Sequence, residues 1–174
     1  MPRKIEFVEV GTRDGFQNVH DFIPTEIKIQ TIERLIDSGV KYMQFSSFVS
    51  PKAIPQLRDS ATVAKECLSK YPDVNFTALV PNLKGAQNAM ESGLKKVNFV
   101  ISVSESHNKE NVNRTVDESF EELNRITEAF GSDFVTLDAA TAFGCPFEGY
   151  TPYEKLKAFI EKGVPECHAL ECYL

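Results

Sequence analysis

Short apolar runs alternate with longer amphipathic segments along this chain. The runs are rich in β-branched and aromatic residues, a composition typical of strands. We predict five strands, at residues 5–10, 42–49, 75–80, 97–103 and 133–142. Apolar residues near helical spacing predict helices at residues 25–38, 61–69, 83–92 and 116–130, with another from residue 151. Strands that alternate with helical crossovers form a parallel sheet.

Two helices carry a start signal in which a threonine precedes a glutamate by three residues, the spacing of a capping box. The pairs are Thr115 with Glu118 and Thr151 with Glu154, the latter with Pro152 at the predicted first helical position. We interpret the polar segment 104–114 as a loop.

The length of the chain limits the number of β/α units that it can hold. One strand and its helix take roughly 30 residues, whereas a closed (β/α)8 TIM barrel needs ~250. The 174 residues therefore predict an α/β fold of the TIM-barrel family, here an incomplete barrel of about five β/α units. Residues 1–174 would be the N-terminal portion of one catalytic domain. An open doubly wound sheet also fits the length, but no glycine-rich phosphate loop follows the first strand.

The composition of the chain limits the classes of partner that we expect it to bind. Lys plus Arg is 19 against 25 for Asp plus Glu, a formal net charge of −6 that argues against nucleic acid. The sequence has no signal-peptide-like or bilayer-spanning apolar run, so we expect a cytoplasmic protein without a membrane partner. A possible zinc site is formed by a cysteine at position 167, a histidine at 168 and a cysteine at 172. Because a zinc site normally needs a second chelating pair, which is missing, we interpret these three residues as incidental.

In parallel β/α folds the working residues follow the carboxyl ends of the strands. After the first strand comes GTRDGFQN, residues 11–18. Asp14 could bind a divalent cation through oxygen, and Arg13 beside it could hold a developing oxyanion. An ordinary Asp-Gly turn with a surface ion pair is the alternative interpretation of this segment alone.

Four segments in order carry a family resemblance. They are VEVGTRDGFQN at residues 8–18, SFVSPKAIPQ at 47–56, PNLKG at 81–85 and GCPFEG at 144–149. Together they resemble the 3-hydroxy-3-methylglutaryl-CoA lyase family of metal-dependent TIM-barrel lyases, over roughly residues 4–163. Four ordered motifs in one chain are far more specific than any of them alone.

The resemblance implies a lyase that cleaves a 3-hydroxyacyl-CoA to acetyl-CoA and a keto acid with a divalent metal cation, Mg²⁺ or Mn²⁺. By position it implies that Asp14 is a metal ligand and that Arg13 is catalytic. The residues that would bind substrate are Arg13, Gln17, Gln44, Ser47, Lys52 and Asn82.

Two departures from the family are visible. Gln44 stands where the lyases have a glutamate, and the chain has no His-x-His pair to complete a metal site. The residues after Gly163 do not read as the family's sixth strand, which indicates a truncation or a change of reading frame. The chain could therefore form a homodimer or pair with a missing C-terminal half.

Two other functions stay open: a condensing acyltransferase of the isopropylmalate or homocitrate synthase type, and a non-catalytic half-barrel fragment.

Overall fold

The structure is a computed structural model that describes residues 7–163, 165 and 169–172. Its strands are β1 (Val8–Glu9), β2 (Tyr42–Ser47), β3 (Asn75–Leu79), β4 (Val97–Ser102), β5 (Val135–Ala140), β6 (Gly144–Cys145), β7 (Gly149–Tyr150) and β8 (Ala169–Cys172). Its α-helices are α1 (Gly11–Gln17), α2 (Thr25–Asp37), α3 (Ser60–Lys70), α4 (Leu83–Glu91), α5 (Glu105–Val112), α6 (Val116–Phe130) and α7 (Tyr153–Gly163). All five predicted strands are present, each shorter than predicted, and residues 5 and 6 lie outside the described part.

The chain divides into two compact units. The first comprises Met1–Leu79 and Gln87–Lys95. In it, β1, β2 and β3 are parallel neighbours, with Val8 opposite Tyr42 and Tyr42 opposite Asn75. Side chains from the strands and from α2 and α3 form its core, including Met43, Phe45, Phe76, Ile32 and Val63. The rings of Phe45 and Phe76 meet edge to face with centroids 5.8 Å apart.

An irregularity in β2 decides which of its residues share a face. Gln44 pairs with Thr77, but the register then shifts and Ser47 pairs with Leu79. Paired residues of parallel strands point to the same side, so Gln44 and Ser47 share one face although they are three positions apart. Ser46 lies on the other face, where its hydroxyl meets that of Ser60 at the start of α3.

The second unit comprises Val80–Ala86 and Lys96–Leu174. Within it β4, β5 and β8 are parallel, in register from Val97 opposite Val135 and from Thr136 opposite Ala169. The short strands β6 and β7 form an antiparallel pair. The core of this unit is fully buried around Phe99, Leu123 and Leu137.

Helix boundaries agree with the sequence in some places and not in others. The capping box at Thr115 is confirmed, since both reciprocal hydrogen bonds with Glu118 are present. The structure differs from the predictions in three places. Segment 11–18, for which no helix was predicted, contains helix α1, and segment 104–114, interpreted as a loop, contains helix α5. The helix after Thr151 begins at Tyr153, and the Thr151 hydroxyl donates to the Thr141 carbonyl instead.

The end of the chain adds a strand that the sequence did not predict. β8 pairs with β5, so the outer edge of the fifth strand is covered along Thr136 to Ala139. Positions 167 and 168, part of the cysteine and histidine group singled out above, lie outside the described residues. Among the residues that the structure describes, no helix is both long and apolar enough to cross a membrane.

Candidate functional site

Helix α1 begins immediately after β1 and carries the Arg-Asp pair. The Glu9 carboxylate accepts the backbone N–H of Gly11 at 2.6 Å. A Cβ at Gly11 would lie 2.8 Å from that oxygen, so a larger residue there would displace Glu9. The Val10 carbonyl accepts the N–H groups of Arg13 and Asp14, which closes the first turn of the helix.

Arg13 links the helix to the neighbouring strand β2. Its Nε donates to Gln44 Oε1 at 2.6 Å, and its Nη1 donates to Asp14 Oδ1 at 2.8 Å. The Arg13 side chain is 18% exposed, whereas Gln44 is 1% exposed. The buried Gln44 amide therefore holds a guanidinium that is itself partly exposed to solvent. The turn-with-ion-pair interpretation is correct about the ion pair, but it omits this longer-range contact.

Asp14 is open to solvent, with 55% of its side chain exposed. Gln17 Nε2 donates to its Oδ1 at 3.3 Å. Its Oδ2 accepts no hydrogen bond from the described residues and is free to ligate. The described residues contain no group of three His, Cys, Asp or Glu side chains that could hold a metal ion. Asp14 thus fits a divalent cation as one oxygen ligand, and the described residues do not bring two further His, Cys, Asp or Glu side chains together with it.

The remaining predicted residues of the first unit differ in their surroundings. Ser47 is 1% exposed, and its hydroxyl has no hydrogen-bond partner among the described residues. It shares the face of β2 with Gln44, the residue that accepts the hydrogen bond of Arg13. Lys52 is exposed in the loop after β2, where its backbone N–H donates to the Ser50 hydroxyl.

Asn82 lies in the second unit and has a structural task. Its Oδ1 accepts the backbone N–H of Gly85 at 2.9 Å at the start of α4. The structure therefore brings Arg13, Asp14, Gln17 and Gln44 into contact and places Ser47 on the face of Gln44. Among the described residues of the first unit, Lys52 makes no hydrogen bond or ion pair with that group, and Asn82 belongs to the second unit.

A buried ion pair near this site was not predicted. Lys28 is 3% exposed, and its Nζ donates to Asp59 Oδ1 and to the Gln56 carbonyl, both at 2.5 Å. The centroid of the Phe22 ring lies 4.3 Å from Lys28 Nζ and 3.5 Å from Arg58 Cζ. The available signal was position, since Lys28 lies one helical turn before the buried Ile32 on α2.

The second unit holds a polar cluster that includes the thiol of Cys145. The sulfur is hydrogen-bonded to the Ser104 hydroxyl at 3.0 Å and accepts the Phe147 N–H at 3.3 Å. Burial raises the pKa of Cys145, but these hydrogen bonds outweigh it and the pKa is lowered overall. The Lys155 ammonium and the Ser106 N–H lower the pKa of Glu148 to about 2.

Comparison with known proteins places these residues in a family. The HMGL-like family model matches residues 4–168. The hydroxymethylglutaryl-CoA lyase YngG of Bacillus subtilis is 39% identical over 171 residues, covering 95% of this chain and 57% of that protein. The mitochondrial hydroxymethylglutaryl-CoA lyase of Rattus norvegicus is 34% identical over 175 residues, covering 99% of this chain and 52% of the relative.

Solved structures agree with the sequence relatives. The Bacillus subtilis HMG-CoA lyase superposes with a TM-score of 0.89 at 36% identity, covering 98% of this chain and 58% of that one. An HMG-CoA lyase from Acinetobacter baumannii, in complex with coenzyme A and 3-methylmalate, has a TM-score of 0.88 at 36% identity, covering 95% and 54%. These matches confirm the predicted fold class, a TIM-barrel family represented by its N-terminal part. The chain spans about half the length of the relatives it matches.

Proposed function

Because the chain belongs to the HMGL-like family, we propose that it is the N-terminal part of a carbon–carbon lyase that cleaves a 3-hydroxyacyl-CoA to acetyl-CoA and a keto acid. The observation that supports this most directly is the contact of Arg13 with both Gln44 and Asp14. It sets a guanidinium beside a carboxylate that is free to ligate. A half-exposed acid and an oriented cation are what a reaction that expels an enolate requires.

Each residue of the site has a distinct task in this proposal. Asp14 would supply one oxygen ligand to Mg²⁺ or Mn²⁺, an ion that polarises the substrate hydroxyl and carbonyl when it is bound. Arg13 donates from its remaining N–H groups to the oxygen that becomes the enolate. Gln44 orients Arg13, and as an amide it cannot take up the hydroxyl proton of the substrate.

Contacts with the rest of the substrate are also proposed. Gln17 orients Asp14 through its 3.3 Å hydrogen bond, and the buried Ser47 hydroxyl offers a partner to a substrate oxygen. Lys52 is exposed and can meet an anionic part of the acyl-CoA. Asn82, which caps α4, remains a weaker candidate because its side-chain oxygen is already engaged.

Two other functions from the sequence remain less well supported. A condensing acyltransferase would share the Arg-Asp pair, but the relatives reported above are lyases. A non-catalytic half-barrel fragment agrees with the finding that the described residues contain no group of three His, Cys, Asp or Glu side chains that could hold a metal ion. Partnership with a second copy or with a C-terminal half, and a cytoplasmic location, stay predictions.

Two substitutions test the roles in a chain completed with a C-terminal half. Asp14→Ala should lose affinity for Mn²⁺ and lyase turnover together. Arg13→Met should keep affinity for Mn²⁺ and lower kcat by about 10² to 10³, the usual effect of removing one oxyanion donor. Acetyl-CoA release and Mn²⁺ titration would measure both quantities. Asp21→Ala is the matched control, because it removes an exposed acid from the same part of the chain.

The alternative of a structural ion pair predicts a different result. If Arg13 and Asp14 only stabilise a turn, both substitutions change stability by a similar small amount and leave turnover intact. Equal and modest effects of the two variants on kcat would therefore refute the assigned roles.

A further inference from the structure

The Arg13 guanidinium keeps an edge available to a ligand. An arginine has five N–H donors. In this site Nε is used by Gln44 and one Nη1 donor by Asp14. The Nη2 donors have no partner among the described residues, and 18% of the side chain is exposed. A ligand that approaches α1 and β2 can therefore meet the two Nη2 donors, which are held in a fixed orientation.

The partner that fixes this orientation is uncharged. Gln44 is 1% exposed, and its oxygen lies 2.6 Å from Arg13 Nε. The one negative charge in contact with Arg13 among the described residues is Asp14, which is 55% exposed and so strongly screened by water. An acid at position 44 would instead neutralise the guanidinium from the buried side.

We infer that Gln44 is a specificity-determining residue: it holds Arg13 through a neutral amide, so that the guanidinium selects an anionic oxygen of the ligand over a neutral one. This inference rests on the proposed function, in which Arg13 faces the reacting oxygen. A charge-assisted hydrogen bond is roughly twice as strong as a neutral one.

Binding of two small probes to the 174-residue chain tests the inference without any turnover. The probes are 3-hydroxybutyrate and its uncharged amide, 3-hydroxybutyramide, each titrated with detection at the ¹⁵Nε resonance of Arg13. We expect the carboxylate to bind about tenfold tighter than the amide, the difference between a charge-assisted and a neutral hydrogen bond. Gln44→Glu should remove that preference, because the new carboxylate takes up the charge of Arg13.

Two further variants keep the test decisive. Gln30→Glu adds the same charge on the exposed face of α2 and should leave the tenfold ratio unchanged. Gln44→Met removes the hydrogen bond without adding charge, so it should weaken both probes and still favour the carboxylate. If Gln44→Glu does not fold, Gln44→Met takes its place: unchanged affinity for both probes would then overturn the inference, because Gln44 would not be what holds Arg13.

Three results would overturn the inference: equal affinities of the wild-type chain for the two probes, no binding of either probe, or an unchanged ratio in Gln44→Glu. A carboxylate preference in a chain that, once completed, releases no acetyl-CoA would refute the proposed lyase and leave the role of Gln44 standing. The reverse combination, acetyl-CoA release without a carboxylate preference, would refute the role of Gln44 alone.

Discussion

Arg13 and Asp14 are adjacent in sequence, yet their side chains have different surroundings. Successive residues of a helix point about 100° apart, so α1 turns Arg13 towards β2 and Asp14 towards solvent. The exposed fractions of 18% and 55% follow from that geometry. One residue is thereby held by the fold, and the other remains open to an ion.

The two buried thiols of the described residues should differ in reactivity, because the thiolate is the reactive form. Burial raises the pKa of Cys67 to about 12, whereas the hydrogen bonds of Cys145 with the Ser104 hydroxyl and the Phe147 N–H outweigh burial and lower the pKa of Cys145. At pH 7, iodoacetamide should modify Cys145 faster than Cys67, as measured by peptide mapping. Ser104→Ala should slow Cys145 alone. Equal rates at the two cysteines would contradict this assignment.

Glu148 should make stability depend on pH in the acid range. Its pKa is lowered from 4.5 to about 2 in the folded protein, so its contribution is present above pH 4.5 and is lost as the pH falls towards 2. Wild type should exceed Glu148→Gln in free energy of unfolding at pH 7, and the two should converge near pH 2. Urea titrations at several pH values measure this. Glu154→Gln controls for the loss of an exposed acid, and a constant gap between wild type and Glu148→Gln would contradict the prediction.

At the scale of elements, the loop after α1 is fastened to the loop after β2. Gln56 Nε2 donates to the Val19 carbonyl at 2.9 Å, while the Gln56 carbonyl accepts from Lys28. The Thr25 hydroxyl and Lys28 both donate to the Asp59 carboxylate. The start of α2 is thus tied to the segment that precedes α3, and the loop that follows Arg13 and Asp14 is held at both ends.

Breaking this buried pair should destabilise the first unit strongly. Lys28→Met leaves the Asp59 carboxylate without its cation, and removing one partner of a buried pair costs about 3–5 kcal/mol. Denaturant unfolding would measure the loss. Lys70→Met is the matched control, since it removes a pair of the same 2.5 Å length whose lysine is 60% exposed. Its effect should be much smaller, and similar losses for the two variants would contradict the distinction.

The sequence predicted a helix correctly where the residues that signal it lie close together along the chain. Thr115 and Glu118 lie three residues apart and cap α6 as predicted. Helix α5 escaped prediction because its segment, ESHNKENV, has no apolar stripe. The Ser104 hydroxyl caps it through the His107 N–H, and the buried Asn108 amide bonds to Ser102, Ser119 and the Arg114 carbonyl. The three contacts of Asn108 reach beyond both the helix and its capping residue, where the pattern and propensity of the segment carry no information.

At the scale of the whole molecule, the candidate site also combines features that are local in sequence with contacts between distant residues. The Arg-Asp motif was visible in the sequence because its residues are adjacent. The contact between Arg13 and Gln44 joins residues 31 apart, and the face shared by Gln44 and Ser47 depends on a register shift in β2. Neither could be derived from spacing, because a regular strand would have placed the two residues on opposite faces.

The chain as it stands should bind a divalent cation weakly. Mg²⁺ and Mn²⁺ take several oxygen or nitrogen ligands, and the described residues contain no group of three His, Cys, Asp or Glu side chains that could hold such an ion. Calorimetric titration of the 174-residue chain with Mn²⁺ should show no stoichiometric micromolar site, and acetyl-CoA release should be undetectable. Asp14→Ala should then change the titration little. Stoichiometric micromolar binding that disappears in Asp14→Ala would show that this chain completes the metal site by itself.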